Sequence, residues 1–514
     1  MKASVKTIFT KLIGKQSARN ATVLTTGLSL LSKVLGCART WLLAYLFGAT
    51  GVVDAYYIAA GAVSLIPLSL NSTMESALLP NMIQNDNATA KDLFAYAFRI
   101  FFIFSFVLIL LMFLFPTQCI KLFAPTLDNE RVTYAADMVK WLLPYAFATV
   151  AIGLFRAWGD YQNRFAAVGT ILASTNIFLI AALLILHPIM GDKAIAAFQS
   201  AAFIPLVIIL RYVLRDIPLQ PRQKLPQTLI RKASLDMLLC ITASCAGFLY
   251  ILVDRYFASS LPEGNISAIS YAHLIFTQPL SLTAAAFSIY FVRANETVSS
   301  SKSENQRLFS TTLFMAWSYF LPAAALLSTL ARPVVAILLG HGAFDATAVA
   351  LTSKCLAVIA LGTPIFICNS IIHKHIIAIG KLKTLVAWNY IGILGNIILN
   401  ALLVKRYGAP GLCAATVIMW HVTSLCLIFI SGGEILLPLL KGLLPQFIIV
   451  LLWAAPLYIT MGSGTFIPLL AGIVIGLLHY LLCDRYGVYA KIPERWRPTA
   501  FLKLLASQAK LFSK

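Results

Sequence analysis

Apolar runs of about twenty residues, long enough to cross a bilayer as a helix, recur from near the start of this chain to near its end. In hydrocarbon the backbone must satisfy its own hydrogen bonds, so repeated runs of this kind fold as helices. With 60% of residues hydrophobic and 11% charged, the composition lies outside that of soluble domains. The sequence therefore predicts an all-α integral membrane protein. Fourteen transmembrane helices are expected, at 22–47, 53–82, 93–116, 132–157, 165–187, 193–213, 233–258, 266–292, 307–330, 347–372, 383–404, 409–430, 441–461 and 464–484. No separate soluble domain is expected.

The formal charge of +21 invites comparison with nucleic-acid binders, but the cations are not gathered into one stripe. They sit in short connections, mostly those after even-numbered spans: Arg156 and Arg164, the run from Arg211 to Lys232, Arg293 to Arg307, and Lys374 to Lys383. That is the positive-inside pattern of membrane topology, and it places both termini in the cytoplasm. The basic start, MKASVKTIFTKLIGKQSARN, is expected to be a cytoplasmic flank, since a long span follows it and no small-residue cleavage site is convincing. Nine cysteines are scattered without a CxxC pair or a His/Cys cluster, so neither a disulfide framework nor a metal site is expected.

The chain also repeats itself. Pro67-Leu-Ser-Leu in span two recurs as Pro279-Leu-Ser-Leu in span eight, and the Asn176-Ile-Phe-Leu stretch of span five is echoed at Asn396 in span eleven. The spacings are nearly equal, which suits six spans repeated as six. The expected organisation is an N-terminal lobe over 1–213, a basic cytoplasmic linker over 214–232, and a C-terminal lobe over 233–430 in pseudo-twofold repeat with the first. Two extra helices and a basic tail follow over 431–514. Lobes of this kind hold a substrate near the midplane.

The first span carries two charges in its interior. At about 100° per residue, Thr25, Ser29, Ser32, Lys33, Gly36 and Arg39 fall within roughly 120° of arc. A cation left in hydrocarbon costs about 2.5–3.5 kcal/mol on insertion scales, so the stripe is expected to face a water-filled cavity. Snorkelling to the interface accounts for Arg39, near the end of the span, but less well for Lys33 at its middle. Span two has a polar arc as well, with Asp54, Tyr57, Gly61, Ser64, Leu68, Asn71, Ser72 and Glu75 on one side. Pro67 lacks a donor there and should bend the helix. Asp254-Arg255 at the end of span seven is most simply an interfacial pair, and His273 is a lone imidazole in span eight.

These residues resemble the MurJ (MviN) family of lipid II flippases, within the multidrug/oligosaccharidyl-lipid/polysaccharide exporter superfamily. The likeness runs through Ser32-Lys-Val-Leu-Gly-Cys-Ala-Arg39, Phe47-Gly-Ala, Asp54-Ala-Tyr-Tyr-Ile-Ala, Leu122-Phe-Ala-Pro125, Asn163-Arg-Phe165 and Phe257-Ala-Ser-Ser-Leu-Pro-Glu-Gly264. It continues in Ile269-Ser-Tyr-Ala272, Gly340-His-Gly-Ala-Phe344 and Tyr407-Gly-Ala-Pro-Gly-Leu412. The resemblance implies a bacterial inner-membrane protein that carries a polyprenyl-diphosphate-linked glycopeptide outward by alternating access through a cationic cavity. Arg39 and Asp54 match family functional positions. Lys33 stands where the family usually has arginine, Pro67-Leu68 where it has paired arginines, and His273-Leu274 where it has Asp-Arg.

The expected function is thus flipping of a polyprenyl-diphosphate-linked glycan, lipid II first, with membrane lipids around it. Lys33, Arg39, Ser32, Ser29 and His273 are the expected substrate-binding residues. Asp54 and Glu75 are expected to pair with the cations or couple to an ion, and Gly36 and Pro67 to act as hinges. No cofactor is expected, membrane potential or an ion gradient being left to supply the drive. Two rivals differ in class. A flippase for an exopolysaccharide or O-antigen type glycan, or a cation-coupled antiporter, shares the architecture, although an antiporter should show carboxylates rather than cations as its dominant cavity charge. A membrane glycosyltransferase needs carboxylates or a histidine base grouped on a sizeable loop, and the longest loops, 214–232 and 294–306, have none.

Overall fold

The computed structural model describes residues 18–214, 216–297, 302–459 and 466–485. The basic start before Ala18 and the tail beyond Arg485 lie outside the described residues. The regular elements among those described are all helices, with no strand among them. Packing divides the chain into two compact units, Met1–Ser267 and Ala268–Lys514.

Unit one begins with α1 (Ala18–Phe47). Gly48, at φ 65°, ends it, a left-handed position that glycine adopts without steric cost. Helix α2 (Gly51–Thr73) carries straight on through a π-helical turn, Met74–Leu78, into α3 (Leu79–Ile83). After it come α4 (Asn87–Leu114), α5 (Pro116–Phe123), α6 (Asn129–Tyr161), α7 (Phe165–Ala173), α8 (Thr175–Met190), α9 (Ala194–Val213) and α10 (Gln227–Ala258). Carboxylates start two of them. Asp86 accepts from the Ala88 and Thr89 amides at the head of α4, and Asp128 from the Arg131 amide at the head of α6, satisfying donors that a helix start leaves open.

Helix α6 is the centre of this unit. Its apolar stretch is 72% buried, against 17% for α4, so α6 is wrapped by neighbours while α4 presents one greasy side outward. Phe102, Ile103, Phe106, Leu110 and Phe113 make up that side, as lipid contact requires. On the inner side Phe94 of α4, Trp158 of α6 and Leu206 and Leu210 of α9 are fully buried together. Close packing uses small residues, as membrane helices do: a side chain at Gly153 of α6 would run into Asn71 of α2 and Met74 of the π turn. The seventh expected span, α10, packs along α2 inside this unit.

Unit two holds most of α11 (Asn265–Thr297), then α12 (Lys302–Thr329), α13 (Ala331–Leu339), α14 (Ala346–Ala360), α15 (Thr363–Ala378), α16 (Leu382–Gly432), α17 (Leu436–Ile459) and α18 (Phe466–Arg485). Its core helix is α15, where Ile365, Ile367, Cys368, Ile371 and Ile372 have no exposed surface. Phe309 stacks on His375 at 4.0 Å between ring centroids. In α16 the buried Asn396 donates to Thr416 at 3.0 Å, tying together the two halves of that helix.

Several expected spans take a different form. The fifth is broken at Ser174 into α7 and α8, and the tenth is α14 plus α15, bent by 48°. The eleventh and twelfth run on as α16, interrupted only at Gly408 with φ 58° and ψ −139°. Seven helical stretches among the described residues are long and apolar enough to cross a membrane, eight if the bent pair counts as one. Two of them, of 46 and 73 residues, would measure about 70 and 110 Å as single rods. The hydrocarbon core is about 30 Å thick, so each is longer than a single crossing needs.

Candidate functional site

Two charged clusters flank the first turns of α2, and their valences are filled to different degrees. The first surrounds Asp54, which has no exposed surface. Its Oδ2 accepts from the Gly264 amide at 2.7 Å and its Oδ1 from the Ser267 amide at 2.7 Å. Arg131 of α6 lies 3.4 Å from Oδ2 and also pairs with Asp128. Asp54 thus caps the first turn of α11, where helix-end amides and dipole both favour an anion. Beside it, Glu263 accepts from the Gly51 amide, and the Thr126 and Ser259 hydroxyls meet at 2.6 Å. The carboxylate expected to face Lys33 and Arg39 is engaged here with backbone amides and Arg131.

One to two turns further along α2, the second cluster is cationic. Tyr56 and Tyr57 pack ring to ring at 5.2 Å, and Gln199 of α9 donates to the Tyr56 hydroxyl at 2.5 Å. Arg255 of α10 lays its guanidinium over the Tyr57 ring, 5.7 Å from the centroid, a cation–π distance. It fits because residue 61 is glycine: a Cβ there would collide with an Arg255 terminal nitrogen. Arg39 and Arg255 are both within electrostatic range of Tyr56 and of Tyr57. The Nε atoms of both arginines are buried and have no hydrogen-bond partner. Neither arginine is in an ion pair among the described residues.

The remaining expected residues are spread along the unit. Lys33 is half-buried on α1 and in no ion pair among the described residues. Ser32 is engaged by Asn176 of α8, which donates to its carbonyl at 2.8 Å and its hydroxyl at 3.1 Å. Ser29 is on α1, with its side chain outside the described residues. Gly36 is buried in an unbroken α1, and its carbonyl accepts from the Thr40 hydroxyl. Pro67 is buried within α2, and the departure from α geometry comes later, at the π turn. Glu75 sits on that turn, paired with Arg156 of α6 at 2.5 Å, and Arg156 Nε is 3.8 Å from Asp160. In unit two, the His273 ring meets Trp420 edge-on at 6.4 Å.

Reasoning from sequence missed Arg255 as an inward group, along with Arg131 and Gln199. The available signal was the polar arc of span two, in which Tyr57 and Gly61 offer an aromatic face and a notch one turn apart, as a guanidinium needs.

Comparison with known proteins places the chain. Residues 43–477 match the model of the family described as lipid II flippase MurJ. The probable lipid II flippase MurJ of Buchnera aphidicola subsp. Acyrthosiphon pisum is 23% identical over 430 residues, covering 78% of this chain and 81% of that protein. The probable lipid II flippase MurJ of Aquifex aeolicus is 25% identical over 349 residues, covering 66% and 68%. Among solved structures, a lipid II flippase MurJ in an inward closed conformation shares the fold with a TM-score of 0.78 at 21% identity, covering 92% of this chain and all of that one. An inward-facing multidrug resistance MATE family transporter of the MOP superfamily matches at 0.59 and 14% identity, over 81% and 96%. With most of its length matched by the family model, this chain belongs to the MurJ lipid II flippase family.

Proposed function

We propose that this protein moves lipid II, a polyprenyl-diphosphate-linked glycopeptide, from the inner to the outer leaflet of the bacterial inner membrane by alternating access. The observation that carries the reading is Arg39, a half-buried arginine whose Nε is enclosed without a hydrogen-bond partner, on the same stripe of α1 as Lys33. A diphosphate crosses a bilayer slowly because its charges lose hydration. Preformed cations replace that hydration, and arginine does so with a fork matched to phosphate oxygens. The headgroup then moves as the protein exchanges between inward- and outward-open states, provided the ligand stabilises the state between them.

The same reading assigns fourteen spans with both termini cytoplasmic, and a repeat of six spans over 1–213 and 233–430. The two extra helices of 431–514 stand outside that repeat. By the repeat α10 opens the second lobe, although it packs on α2 in unit one. Ser29, Ser32 and His273 remain candidate contacts for the headgroup, and the drive is membrane potential or an ion gradient.

The test is complementation in cells depleted of their own flippase. Alanine at Lys33 or at Arg39 should abolish or strongly reduce growth at normal protein level, and wild-type growth from both variants would sink the diphosphate role. Native mass spectrometry of the purified protein with lipid II, an O-antigen-type lipid diphosphate and an exopolysaccharide precursor identifies the cargo, with preferential retention of lipid II expected.

A further inference from the structure

We infer that Arg255 is a substrate-binding residue, forming with Arg39 a two-arginine clamp over the Tyr56–Tyr57 pair that grips the diphosphate of the lipid substrate. The inference rests on the flippase reading above and adds to it a residue that lies outside the stripe on α1.

Three observations converge. The Arg255 Nε is buried without a hydrogen-bond partner, as is that of Arg39. A buried guanidinium donor left open is costly, and the cost is recovered when an anion arrives. The side chain is also held, not loose. Its guanidinium rests on the Tyr57 ring and against the α2 backbone at Gly61, where any side chain would displace it. Finally, both arginines are within electrostatic range of the same two tyrosines, an arrangement suited to one ligand with two charged centres. A diphosphate has two such centres. Asp54, the carboxylate nearest along α2, is occupied by Gly264, Ser267 and Arg131. Asp254 neighbours Arg255 and acts on it electrostatically, yet no ion pair joins Arg255 to any described carboxylate.

A guanidinium delivered from α10 adds a second forked cation to the face of α2, three residues from the end of its own helix.

The experiment titrates the full-length protein in detergent with undecaprenyl diphosphate and, separately, with inorganic diphosphate, reading bound lipid by native mass spectrometry and melting temperature in parallel. Arg255→Gln is expected to weaken undecaprenyl diphosphate about tenfold or more, the loss of one charge-assisted contact. Arg255→Lys should recover only part of that, having charge without the fork. Gly61→Ala, which keeps every charge but pushes the guanidinium off its bed, should weaken binding several-fold with little change in melting temperature.

Arg39→Gln separates the inference from the reading beneath it. Weakened lipid binding in Arg39→Gln, with Arg255→Gln and Gly61→Ala both at wild-type affinity, overturns the clamp and leaves the reading standing. Wild-type affinity in all three overturns both. A fall in melting temperature for Arg255→Gln, with wild-type binding by Gly61→Ala, assigns Arg255 a structural role and overturns the inference. Arg255-dependent binding of inorganic diphosphate alone assigns the cations to a free anion and overturns it too.

Discussion

The two clusters on α2 are built from the same materials, a charged group packed between helices, yet they are completed in opposite ways. Around Asp54 each carboxylate oxygen has a backbone donor at 2.7 Å, with Arg131 beyond. Around Tyr57 two arginines bury an Nε apiece and find no acceptor. A charge whose valences the fold has filled gains nothing from a ligand, and its removal strands the groups around it. An open charge weakens the empty protein and strengthens the loaded one. Completion of hydrogen bonding therefore separates scaffold from site more sharply than charge or burial does.

The largest effect should come from the filled cluster, and it should fall on stability. Asp54→Ala leaves two helix-start amides and Arg131 without their acceptor, and breaking a buried pair of this kind costs about 3–5 kcal/mol. Thermal unfolding of the detergent-purified protein measures it. Asp54→Asn, which still offers one oxygen, should cost less. An Asp54→Ala protein that melts normally but fails to transport would break the comparison, because Asp54 would then belong with the ligand groups. Arg39→Gln should behave in the reverse sense, losing about 2–5 kcal/mol of binding for a lipid diphosphate while melting at or above the wild-type temperature. A drop in melting temperature as large as that of Asp54→Ala would show that the open Nε is not the feature that matters.

Asp128 gives a smaller test at the same end of the unit. It caps α6 through the Arg131 amide, and that bond, joined by the Arg131 side chain, holds its carboxyl below the ordinary carboxylate range. A depressed carboxylate contributes fully above its unfolded pKa and loses its contribution as pH falls through the folded value. Asp128→Ala should cost about 0.5–2 kcal/mol near neutral pH and flatten the acid side of the melting-temperature profile. Because Arg131 bridges Asp128 and Asp54, the double variant should be less destabilised than the two single effects combined.

What the sequence showed, and what it hid, follows the same division. The helices were legible because apolar length is a local property, and Lys33 and Arg39 because a charge inside an apolar run stands out on a helical wheel. Completion of a charge is not local. Arg131 and Arg156, the partners of Asp54 and Glu75, are far along the chain on α6, and Arg156 has the look of a loop cation until the helix is seen to extend past it. Arg255, three residues before its helix ends, looks interfacial by position. Only the notch at Gly61 shows that it turns inward. The π turn at Met74–Leu78 left no mark in the apolar pattern either, since one wide turn barely alters the periodicity of a helix this long.

Glu75 supplies the smallest expected effect and the finest discrimination. It sits on the π turn in a pair with Arg156 at 2.5 Å, and both side chains are more than two-fifths exposed. A pair open to this degree is worth about 0–1 kcal/mol, so Glu75→Gln should leave the melting temperature nearly unchanged. By the rule of filled valences, transport should also stay within a few-fold of wild type, since the carboxylate already has its cation. A coupling role demands the opposite, a loss of transport at normal protein level together with a changed dependence on pH or sodium. Measuring flipping in proteoliposomes for Glu75→Gln across pH and sodium concentration decides between them. A large loss would move Glu75 to the working side of the comparison and make the π turn, which aims that carboxylate toward α6, part of the transport machinery.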